Sequence, residues 1–281
     1  MWTILSVLQW TEKRFAERGL ASPRLDAQVL LAHVLQKDRV YLYTHFDQPL
    51  APEELAKYRG LIQRRLAGEP VAYLVGEKEF QSLTFAVDKR VLVPRPDTEA
   101  TVEAALALLP SGASGRVVDV GTGSGAIALS IKKERPDLEV LAVDLSSDAA
   151  AVARANAERL GFAVEIVEGD LLAPVAARAP FTLIVSNPPY IPSDDIAALA
   201  PEVRSEPMLA LDGGEDGLDA IRRLIADAPP LLADGGALVL EVGFGQAPAV
   251  VALFAADGRY DPAMTTKDLA GIERAVAARK K

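Results

Sequence analysis

From Arg116 onward, the sequence alternates apolar, β-branched runs with stretches of helical pattern. The predicted strands are RVVDV, LEVLAVD, AVEIVEGD and FTLIVSN, and the predicted helices between them include AIALSIKKE and SDAAAVARANAERL. Successive strands that are joined by helices run parallel, and the helices cover both faces of the sheet. Residues 217–243 continue with a helix, a Gly-Gly turn and a strand, and the tail adds a helix and a closing strand. The sequence therefore predicts an α/β domain whose ligand crevice lies at the carboxyl ends of the strands.

The first part of the chain has a different pattern. Residues 2–67 carry apolar positions at three- and four-residue spacing, with helix-start signals at Ser22-Pro23 and Ala51-Pro52. Short aromatic and β-branched runs around Gly76-Glu77 predict a β-hairpin between two domains. We therefore predict a small helical domain with its connecting hairpin at residues 1–85 and an α/β domain at residues 86–281.

Composition excludes several classes of protein. The chain of 281 residues has 30 basic and 39 acidic side chains, and its net charge of −9 opposes general attraction to nucleic acid. It contains no cysteine, so disulfides and thiolate metal sites are excluded, and a reducing cytoplasm is the expected location. No apolar run is long enough for a membrane span. His33 and His45 each stand alone, which favours structural roles over metal binding or catalysis, and we predict no metal.

The stretch VVDVGTGSGAIAL places three glycines where a strand turns into a helix. Gly121, Gly123 and Gly125 let the backbone approach a ligand without obstruction by side chains. The stretch also satisfies the dinucleotide-binding pattern, with the acidic Asp144 about twenty residues further on. By itself, the pattern does not distinguish between nucleotide ligands.

Acidic residues at the strand ends favour one ligand over the others. Asp119 precedes the first glycine by two residues and would repel the pyrophosphate of a nicotinamide cofactor. S-adenosylmethionine has no phosphate and carries a sulfonium and an ammonium group, so an acidic strand end suits it. Asp144 can accept hydrogen bonds from its ribose hydroxyls, and Asp170 can accept one from its adenine amino group while Leu171 covers the base edge. The predicted cofactor contacts are Asp119, Gly121, Thr122, Gly123, Ser124, Gly125, Asp144, Leu145, Asp170, Leu171 and Asn187.

The same acids have structural interpretations. Asp119 and Asp144 can instead cap the helices that follow them. Asp170 can instead be an ordinary turn residue.

The stretch SNPPY follows the fourth predicted strand of the sheet, so Asn187 is expected beside the glycine loop. A planar NH2 group delocalises its lone pair and is a poor nucleophile. The side-chain carbonyl of Asn187 and the backbone carbonyl of Pro188 can accept its two N–H groups and orient the nitrogen. Tyr190 is expected to stack on the flat substrate. A rigid turn with Asn187 as a cap is the alternative.

The proposed geometry also affects the transition state. Positive charge develops on the attacking nitrogen, and two fixed acceptors stabilise that charge more in the transition state than in the ground state. The stretch contains no strong base, so the proton that leaves goes to water or to an acceptor that the sequence does not identify. We predict Asn187, Pro188 and Tyr190 as catalytic residues. The predicted substrate contacts are Asn187, Pro188, Pro189 and Tyr190.

At these residues the sequence resembles the glutamine-N5 methyltransferases that modify peptide chain release factors. The resemblance runs essentially from end to end, and is carried by SPRLDAQVLLAHVL, GEPVAYLVG, EFQSLTF, LVPRPDTE, DVGTGSGAIAL, AVDLS, SNPPYIP and EPMLALDGGEDGL. NPPY alone is shared with other amino-methylating enzymes, whereas its combination with GEPVAYLVG and PRPDTE is more specific. Leu171 stands where some relatives have an aromatic residue, a change that weakens stacking on the adenine but leaves an apolar wall.

The resemblance implies a Rossmann-like seven-stranded methyltransferase sheet and S-adenosylmethionine as methyl donor. It implies that the glutamine of a Gly-Gly-Gln loop in a release factor is the target, and that the helical amino-terminal domain helps to recognise this protein substrate. We further expect a monomer with no direct nucleic-acid partner. Arg95 and Glu99 in PRPDTE lie between the predicted domains, where a structural ion pair or a helix start explains them as well as substrate contact does.

Other functions compete with this interpretation. An adenine-N6 methyltransferase acting on nucleic acid faces the same problem of an unreactive NH2 group, but the acidic balance opposes it. A binding module without catalysis would use the glycine loop and leave NPPY as a turn. A nicotinamide oxidoreductase is the more distant alternative.

Overall fold

The computed structural model describes residues 1–109, 112 and 115–281. By packing, the chain divides into a first unit of residues 1–77 with 200–205 and a second unit of residues 78–199 with 206–281. The expected domain limits at residues 85 and 86 stay a prediction, and the packing differs from them because the strands of the hairpin lie almost wholly in the second unit.

Helices and strands occur in an order close to the predicted one. The helices are α1 Ile4–Glu17, α2 Pro23–Leu35, α3 Arg39–Thr44, α4 Pro52–Leu66, α5 Val71–Val75, α6 Glu99–Leu108, α7 Ala126–Glu134, α8 Ser147–Leu160, α9 Pro201–Arg204, α10 Asp219–Asp227 and α11 Ala247–Asp257. The strands are β1 Glu77–Phe80, β2 Leu83–Ala86, β3 Arg116–Val120, β4 Glu139–Asp144, β5 Glu165–Glu168, β6 Phe181–Ser186, β7 Leu232–Glu241, β8 Met264–Lys267 and β9 Glu273–Arg279.

The first unit is helical, as predicted. Helices α2 and α4 begin at Pro23 and Pro52, where a missing N–H costs nothing because the first turn has no acceptor for it. Tyr58 is fully buried, and its hydroxyl donates a hydrogen bond to the carbonyl of Ala27 at 2.9 Å. The apolar residues packed around it include Ile4, Phe15, Leu30, Leu31 and Ile62.

A buried ion cluster lies in the same unit. Arg65 is 4% exposed and donates from Nε to Asp26 at 2.8 Å. The same guanidinium pairs with Glu202, which comes from the segment 200–205. Burial raises the pKa of Asp26, and the hydrogen bond from Arg65 opposes that rise.

The hairpin lies slightly later than the pattern indicated. Residues 71–75 form the short helix α5, which ends at Gly76 in the left-handed conformation (φ 81°). The hairpin turn is at Gln81 and Ser82, which also have positive φ, and the strands β1 and β2 pair around it. The predicted hairpin is therefore present, with its turn a few residues after Gly76-Glu77. The glycine ends a helix there, which is the other common use of a left-handed residue.

The second unit contains a seven-stranded sheet in the order β5-β4-β3-β6-β7-β9-β8, which confirms the predicted fold class. The first five of these strands run parallel, and β9 and β8 join as an antiparallel pair. The tail thus adds two strands, where one was expected. Gly235 and Gly236 lie inside β7 at a register shift against β6, and the predicted turn before that strand is wrong.

The parallel strands end together at one edge of the sheet. Val120 at the end of β3 pairs with Val143 of β4 and with Ser186 of β6. Ser186 in turn pairs with Leu240 of β7. From β3 the chain continues to β4 and β5 on one side of the sheet, and it then crosses to β6 and β7 on the other side. The space between the ends of β3 and β6 is therefore a topological switch point, where α/β folds bind ligands. In the described ranges, no helix has the length and apolar character needed to cross a membrane.

Candidate active site

A cavity of about 490 Å³ opens at this edge of the sheet, wholly within the second unit. Its walls come from the segment before α6, the glycine loop after β3, the residues after β4, β5 and β6, and residues 207–223. The predicted site residues on its wall are Gly121, Thr122, Gly123, Ser124, Asp144, Leu145, Asp170, Leu171, Asn187 and Pro189. The structure thus brings together residues from four separate strand ends.

The glycine loop folds tightly over the end of β4. The backbone N–H groups of Gly121 and Thr122 both donate to the carbonyl of Val143, at 2.8 and 3.0 Å. Gly121, Gly123 and Gly125 all have positive φ, a conformation that other residues adopt only with strain. Gly125 does not line the cavity. It begins α7, and a Cβ there would lie 3.0 Å from Leu129.

Asp119 lies beneath this loop. It is fully buried, and one carboxylate oxygen accepts from the Thr122 hydroxyl at 2.6 Å and from the N–H of Ala128 at 3.1 Å. Ala128 belongs to the first turn of α7, so the alternative of a helix cap fits this position. Burial raises the pKa of Asp119 to about 7. The described cavity wall does not include Asp119, and a direct contact with a ligand stays a prediction.

Asp144 lies on the cavity wall. Its two carboxylate oxygens accept hydrogen bonds from the N–H of Gly123 at 2.8 Å and from the N–H of Ser146 at 2.9 Å. The N-cap of α8 is Ser146, so Asp144 is not the cap of that helix. Each carboxylate oxygen has a second lone pair, which leaves capacity for a ligand hydroxyl. Burial raises the pKa of Asp144. The adjacent Leu145 is exposed on the cavity wall.

Asp170 and Leu171 follow β5. Asp170 accepts a hydrogen bond from Arg223 at 2.5 Å, and both side chains are about half exposed. Leu171 has a left-handed backbone (φ 47°) and packs partly on the sheet core while it lines the cavity. The pair therefore forms an apolar and acidic corner of the cavity.

Asn187 lies directly after β6 and faces the glycine loop. A Cβ added at Gly121 would lie 3.8 Å from the backbone carbonyl oxygen of Asn187. The side-chain NH2 of Asn187 donates to the hydroxyl of Thr98 at 3.3 Å. Ser186, one residue earlier, donates to the carbonyl of Val120 at 2.7 Å and joins the two strand ends. Because the NH2 group is held by Thr98, the carbonyl oxygen of the amide is left for another partner.

The rest of NPPY is divided between the cavity and the core. Pro189 lines the cavity, whereas Pro188 and Tyr190 are absent from the described lining residues. The ring of Tyr190 lies near Gly243, and its carbonyl accepts a hydrogen bond from Gln246 at 2.9 Å. Burial raises the pKa of the Tyr190 hydroxyl. Contacts of Pro188 and Tyr190 with a substrate stay predictions.

Several residues of the site were missed in the sequence. Thr98 lies on the cavity wall, and Glu241 is buried at the end of β7. The rule that selected Asp119 and Asp144, an acid at a strand end, also applies to Glu241 and would have found it. Asn156 of α8 donates to the carbonyl of Ser124 at 2.9 Å and holds the loop from below, a contact with no local signal.

Arg95 has a structural partner, in agreement with its exclusion from the catalytic set. It pairs with the buried Glu206, which also accepts from the N–H of Val93 at 3.0 Å. Glu99 begins α6, where an acidic residue favours the helix start. Among the described residues, no group of three or more His, Asp or Glu side chains is placed to hold a metal ion.

Two family models match the chain. Residues 6–76 match the PrmC N-terminal domain, and residues 98–201 match the methyltransferase small domain. The first match falls within the helical unit, and the second spans the strands β3 to β6 with the glycine loop and NPPY.

Curated relatives match over almost the whole chain. A release factor glutamine methyltransferase of Geobacter sulfurreducens is 48% identical, over 99% of this chain and 97% of the relative. Enzymes of the same name are 46% identical in Bordetella pertussis, over 92% and 95%, and 44% identical in Vibrio cholerae, over 97% and 95%. The chain belongs to the release factor glutamine methyltransferase family.

Solved structures agree with the family's fold. A methyltransferase from Pyrococcus furiosus superposes with a TM-score of 0.55 at 20% identity, over 78% of this chain and 96% of that one. A T. thermophilus 16S rRNA N2 G1207 methyltransferase, solved with AdoMet and guanosine, gives 0.53 at 19% identity, over 73% and 50%. At such identities, the likeness concerns the methyltransferase fold alone.

Proposed function

We propose that this protein transfers a methyl group from S-adenosylmethionine to the side-chain amide nitrogen (N5) of the glutamine in the Gly-Gly-Gln loop of peptide chain release factors. The observation that carries the proposal is the position of Asn187. Asn187 lines the cavity, its backbone carbonyl oxygen lies near Gly121, and its side-chain NH2 group is held by Thr98. The carbonyl oxygen of Asn187 is therefore available to accept an N–H from a substrate amide.

The cavity fits S-adenosylmethionine in size and charge. Its volume of about 490 Å³ is in the usual range for a small-molecule site. Asp119 lies under the glycine loop with one carboxylate oxygen that has no hydrogen-bond partner among the described residues, and Asp144 lies on the wall. Acids at these places favour a cationic ligand over a phosphate. When bound, S-adenosylmethionine supplies a methyl group on a positively charged sulfur.

Residues of the chain would then orient and activate the substrate nitrogen. We assign one substrate N–H to the side-chain oxygen of Asn187 and the other to the backbone carbonyl of Pro188. Two acceptors in fixed positions draw electron density towards the nitrogen as it bonds to the methyl carbon and the sulfur–carbon bond breaks. The nitrogen would then give up one proton to solvent water, so the product amide is neutral. The fixed acceptors lower the barrier because they are already oriented before the reaction.

The identity of the substrate rests on the relatives and on the first unit. Relatives along nearly the whole chain are named for release factor glutamine methylation. The match of residues 6–76 to the PrmC N-terminal domain supports a role of the helical unit in recognising that protein substrate. We propose that the protein acts as a monomer in the cytoplasm, for which the cysteine-free sequence is suited.

The adenine-N6 alternative is not favoured by the charges of the cavity. Arg90, Arg95 and Arg223 lie on its wall. Each of them is paired with an acid, namely Asp88, Glu206 and Asp170 respectively. Paired arginines offer little attraction to a phosphate backbone, and the net charge of −9 opposes it further.

The test is methylation of a purified release factor. The protein is incubated with the release factor and S-adenosylmethionine that carries a labelled methyl group, and the peptides are mapped by mass spectrometry. We expect one added methyl on the glutamine of the Gly-Gly-Gln peptide. A release factor whose own glutamine is replaced by alanine is the matched control. Cofactor binding without any label on the release factor would contradict the proposal.

A further inference from the structure

The register of the sheet places a buried acid next to Asn187. Ser186 of β6 pairs with Leu240 of β7, so the next residues, Asn187 and Glu241, follow side by side at the same edge. Glu241 is only 2% exposed. Its carboxylate accepts a hydrogen bond from the hydroxyl of Thr101 at 3.2 Å, and the nearby hydroxyl of Thr98 lowers the pKa of Glu241 as a second donor.

Thr98 contacts both Glu241 and Asn187. It is 4% exposed and lies at the end of the 3₁₀ turn Pro96–Thr98, just before α6. A hydroxyl has one proton, and we assign that proton to the carboxylate of Glu241, which can accept it when ionised. Only its lone pairs remain for Asn187, so the group that faces Thr98 must be the NH2 end of the Asn187 amide. The observed contact of 3.3 Å between Nδ2 and the hydroxyl oxygen has this polarity.

We propose that Glu241 acts through the hydroxyl of Thr98 to hold the carbonyl oxygen of the Asn187 amide towards the cavity. This inference rests on the proposed function, in which that oxygen accepts an N–H of the substrate. The two ends of an amide are nearly the same size, but one accepts hydrogen bonds and the other donates them. A reversed Asn187 would therefore direct its NH2 group at the N–H of the substrate, and both groups are donors. Glu241 and Thr98 are thus positioning residues, and they orient the acceptor before the substrate binds.

The orientation of the Thr98 hydroxyl is best determined when Glu241 is ionised, because a carboxylate can only accept a hydrogen bond. Burial raises the pKa of Glu241 to about 7, while the two threonine hydroxyls lower it. Arg274 favours the charged form, and Asp97 opposes it. The charges of Glu241 and Arg274 also act on the nearby hydroxyl of Tyr190. Below neutral pH, the protonated carboxyl can donate to Thr98, and the constraint on the amide weakens.

The first experiment observes the amide without any substrate. The chain has two asparagines, Asn156 and Asn187, so selective ¹⁵N-asparagine labelling gives two pairs of side-chain amide signals. Asn156 is fully buried, donates its NH2 group to two backbone carbonyls and serves as the internal reference for slow exchange. We expect slow proton exchange at Asn187 in the parent protein and at least tenfold faster exchange in Thr98→Val. Exchange at Asn187 that is insensitive to Thr98→Val, or fully fast in the parent, would overturn the inference.

The second experiment measures turnover on a Gly-Gly-Gln peptide. Thr98→Val removes the hydroxyl and keeps the shape, and we expect kcat to fall about 10-fold, as for the loss of one hydrogen bond. The KM for the peptide should change much less, and Thr98→Ser should restore the rate. The matched control is Thr101→Val, which removes the other hydroxyl from Glu241 without any contact to Asn187. It should stay within about twofold of the parent, and a loss equal to that of Thr98→Val would refute the relay.

A double-mutant cycle tests the part of Glu241. Glu241→Gln weakens the acceptor for the Thr98 proton, so it should lower kcat in the parent but add little in the Thr98→Val background. Equal effects in both backgrounds would show that Glu241 acts independently of Thr98. A parent that methylates the peptide and is indifferent to Thr98→Val disproves the relay alone. A parent that methylates neither the peptide nor the purified release factor disproves the proposed function, and the amide exchange still decides the relay.

Discussion

Three acids at strand ends illustrate how one residue type takes different roles. Asp119 lies under the glycine loop and ties it to the first turn of α7. Asp144 lies on the cavity wall and holds the loop from the side. Glu241 is buried at the end of β7, beside Asn187 on the neighbouring strand. The spacing of the acids in the sequence predicted that they lie at the strand ends beside a ligand. In the structure, Asp144 and Asp170 line the cavity. The sequence could not tell which acids face the cavity, because the direction of a side chain after a strand depends on the following turn.

Replacement of Asn187 separates catalysis from binding. Asn187→Ala removes the side-chain acceptor and leaves the glycine loop intact, so we expect kcat to fall at least 100-fold, a range known for single groups that stabilise developing charge. The dissociation constant for S-adenosylmethionine, measured by calorimetry, should change less than about threefold. An unchanged kcat would instead support a binding module without catalysis.

The pH dependence of stability tests the burial of Asp119. Its pKa is about 7 in the folded protein, above its ordinary value of 3.8, so the folded state holds this proton more tightly than the unfolded state. Its contribution to the free energy of unfolding is therefore fully present below about pH 4 and is lost as the pH rises through about 7. Asp119→Asn removes this titration, and the stability of the variant relative to the parent should rise over that interval.

Chemical denaturation followed by far-UV circular dichroism at several pH values measures this difference. Asp137→Asn is the control, because the hydrogen bond from Arg135 lowers the pKa of that exposed carboxyl. The effect of Asp137→Asn on the pH dependence of the free energy of unfolding should have the opposite sign and should occur below about pH 4. A difference between Asp119→Asn and the parent that does not vary with pH would contradict the assignment.

At the scale of elements, the turn between β3 and α7 depends on one glycine for packing as well as for conformation. Gly125 has φ 86°, and a Cβ there would lie 3.0 Å from Leu129 and 3.5 Å from Ala153. Strands and helices of this region were predictable because their periodicity is local. The position of the hairpin was not, since Gly76 suits both a helix end and a turn.

A pair of glycine substitutions separates the two requirements. Gly161 ends α8 with φ 74°, and a Cβ there meets nothing within 4 Å. Gly161→Ala should therefore lower the free energy of unfolding by about 1–2 kcal/mol, the strain of a left-handed residue. Gly125→Ala should cost a further ~1–3 kcal/mol from crowding. Urea denaturation of both variants gives the comparison, and equal losses would show that Leu129 moves aside freely.

At the scale of the whole molecule, the chain returns to its first unit from a distant position. Residues 200–205 pack with residues 1–77, and Glu202 pairs with the buried Arg65. No periodicity in residues 200–205 announces this return. Only the folded structure shows it, because Arg65 and Glu202 are far apart in the sequence.

Arg65 should be essential to the stability of the first unit. Arg65→Met leaves Asp26 buried without its cation, and removal of one partner of a buried pair costs about 3–5 kcal/mol. The adjacent Arg64 pairs with Glu69 at the surface, so Arg64→Met should cost less than about 1 kcal/mol. Both tryptophans, Trp2 and Trp10, lie in this unit and report its unfolding by fluorescence. Equal denaturation midpoints for the two variants would contradict this role.

The sequence by itself determined the order of strands and helices, the seven-stranded class through its resemblance, and the strand edge at which Gly121, Asp144, Asp170 and Asn187 meet. These follow from local periodicity and from one general fact, that parallel strands end at a common edge. Only the tertiary structure decided that Thr98 contacts Asn187 beside the buried Glu241 and that Glu202 joins Arg65. The contacts of Thr98 with Asn187 and of Thr101 with Glu241 span 89 and 140 residues. Such contacts depend on sheet register and on packing between distant segments, which no local pattern encodes.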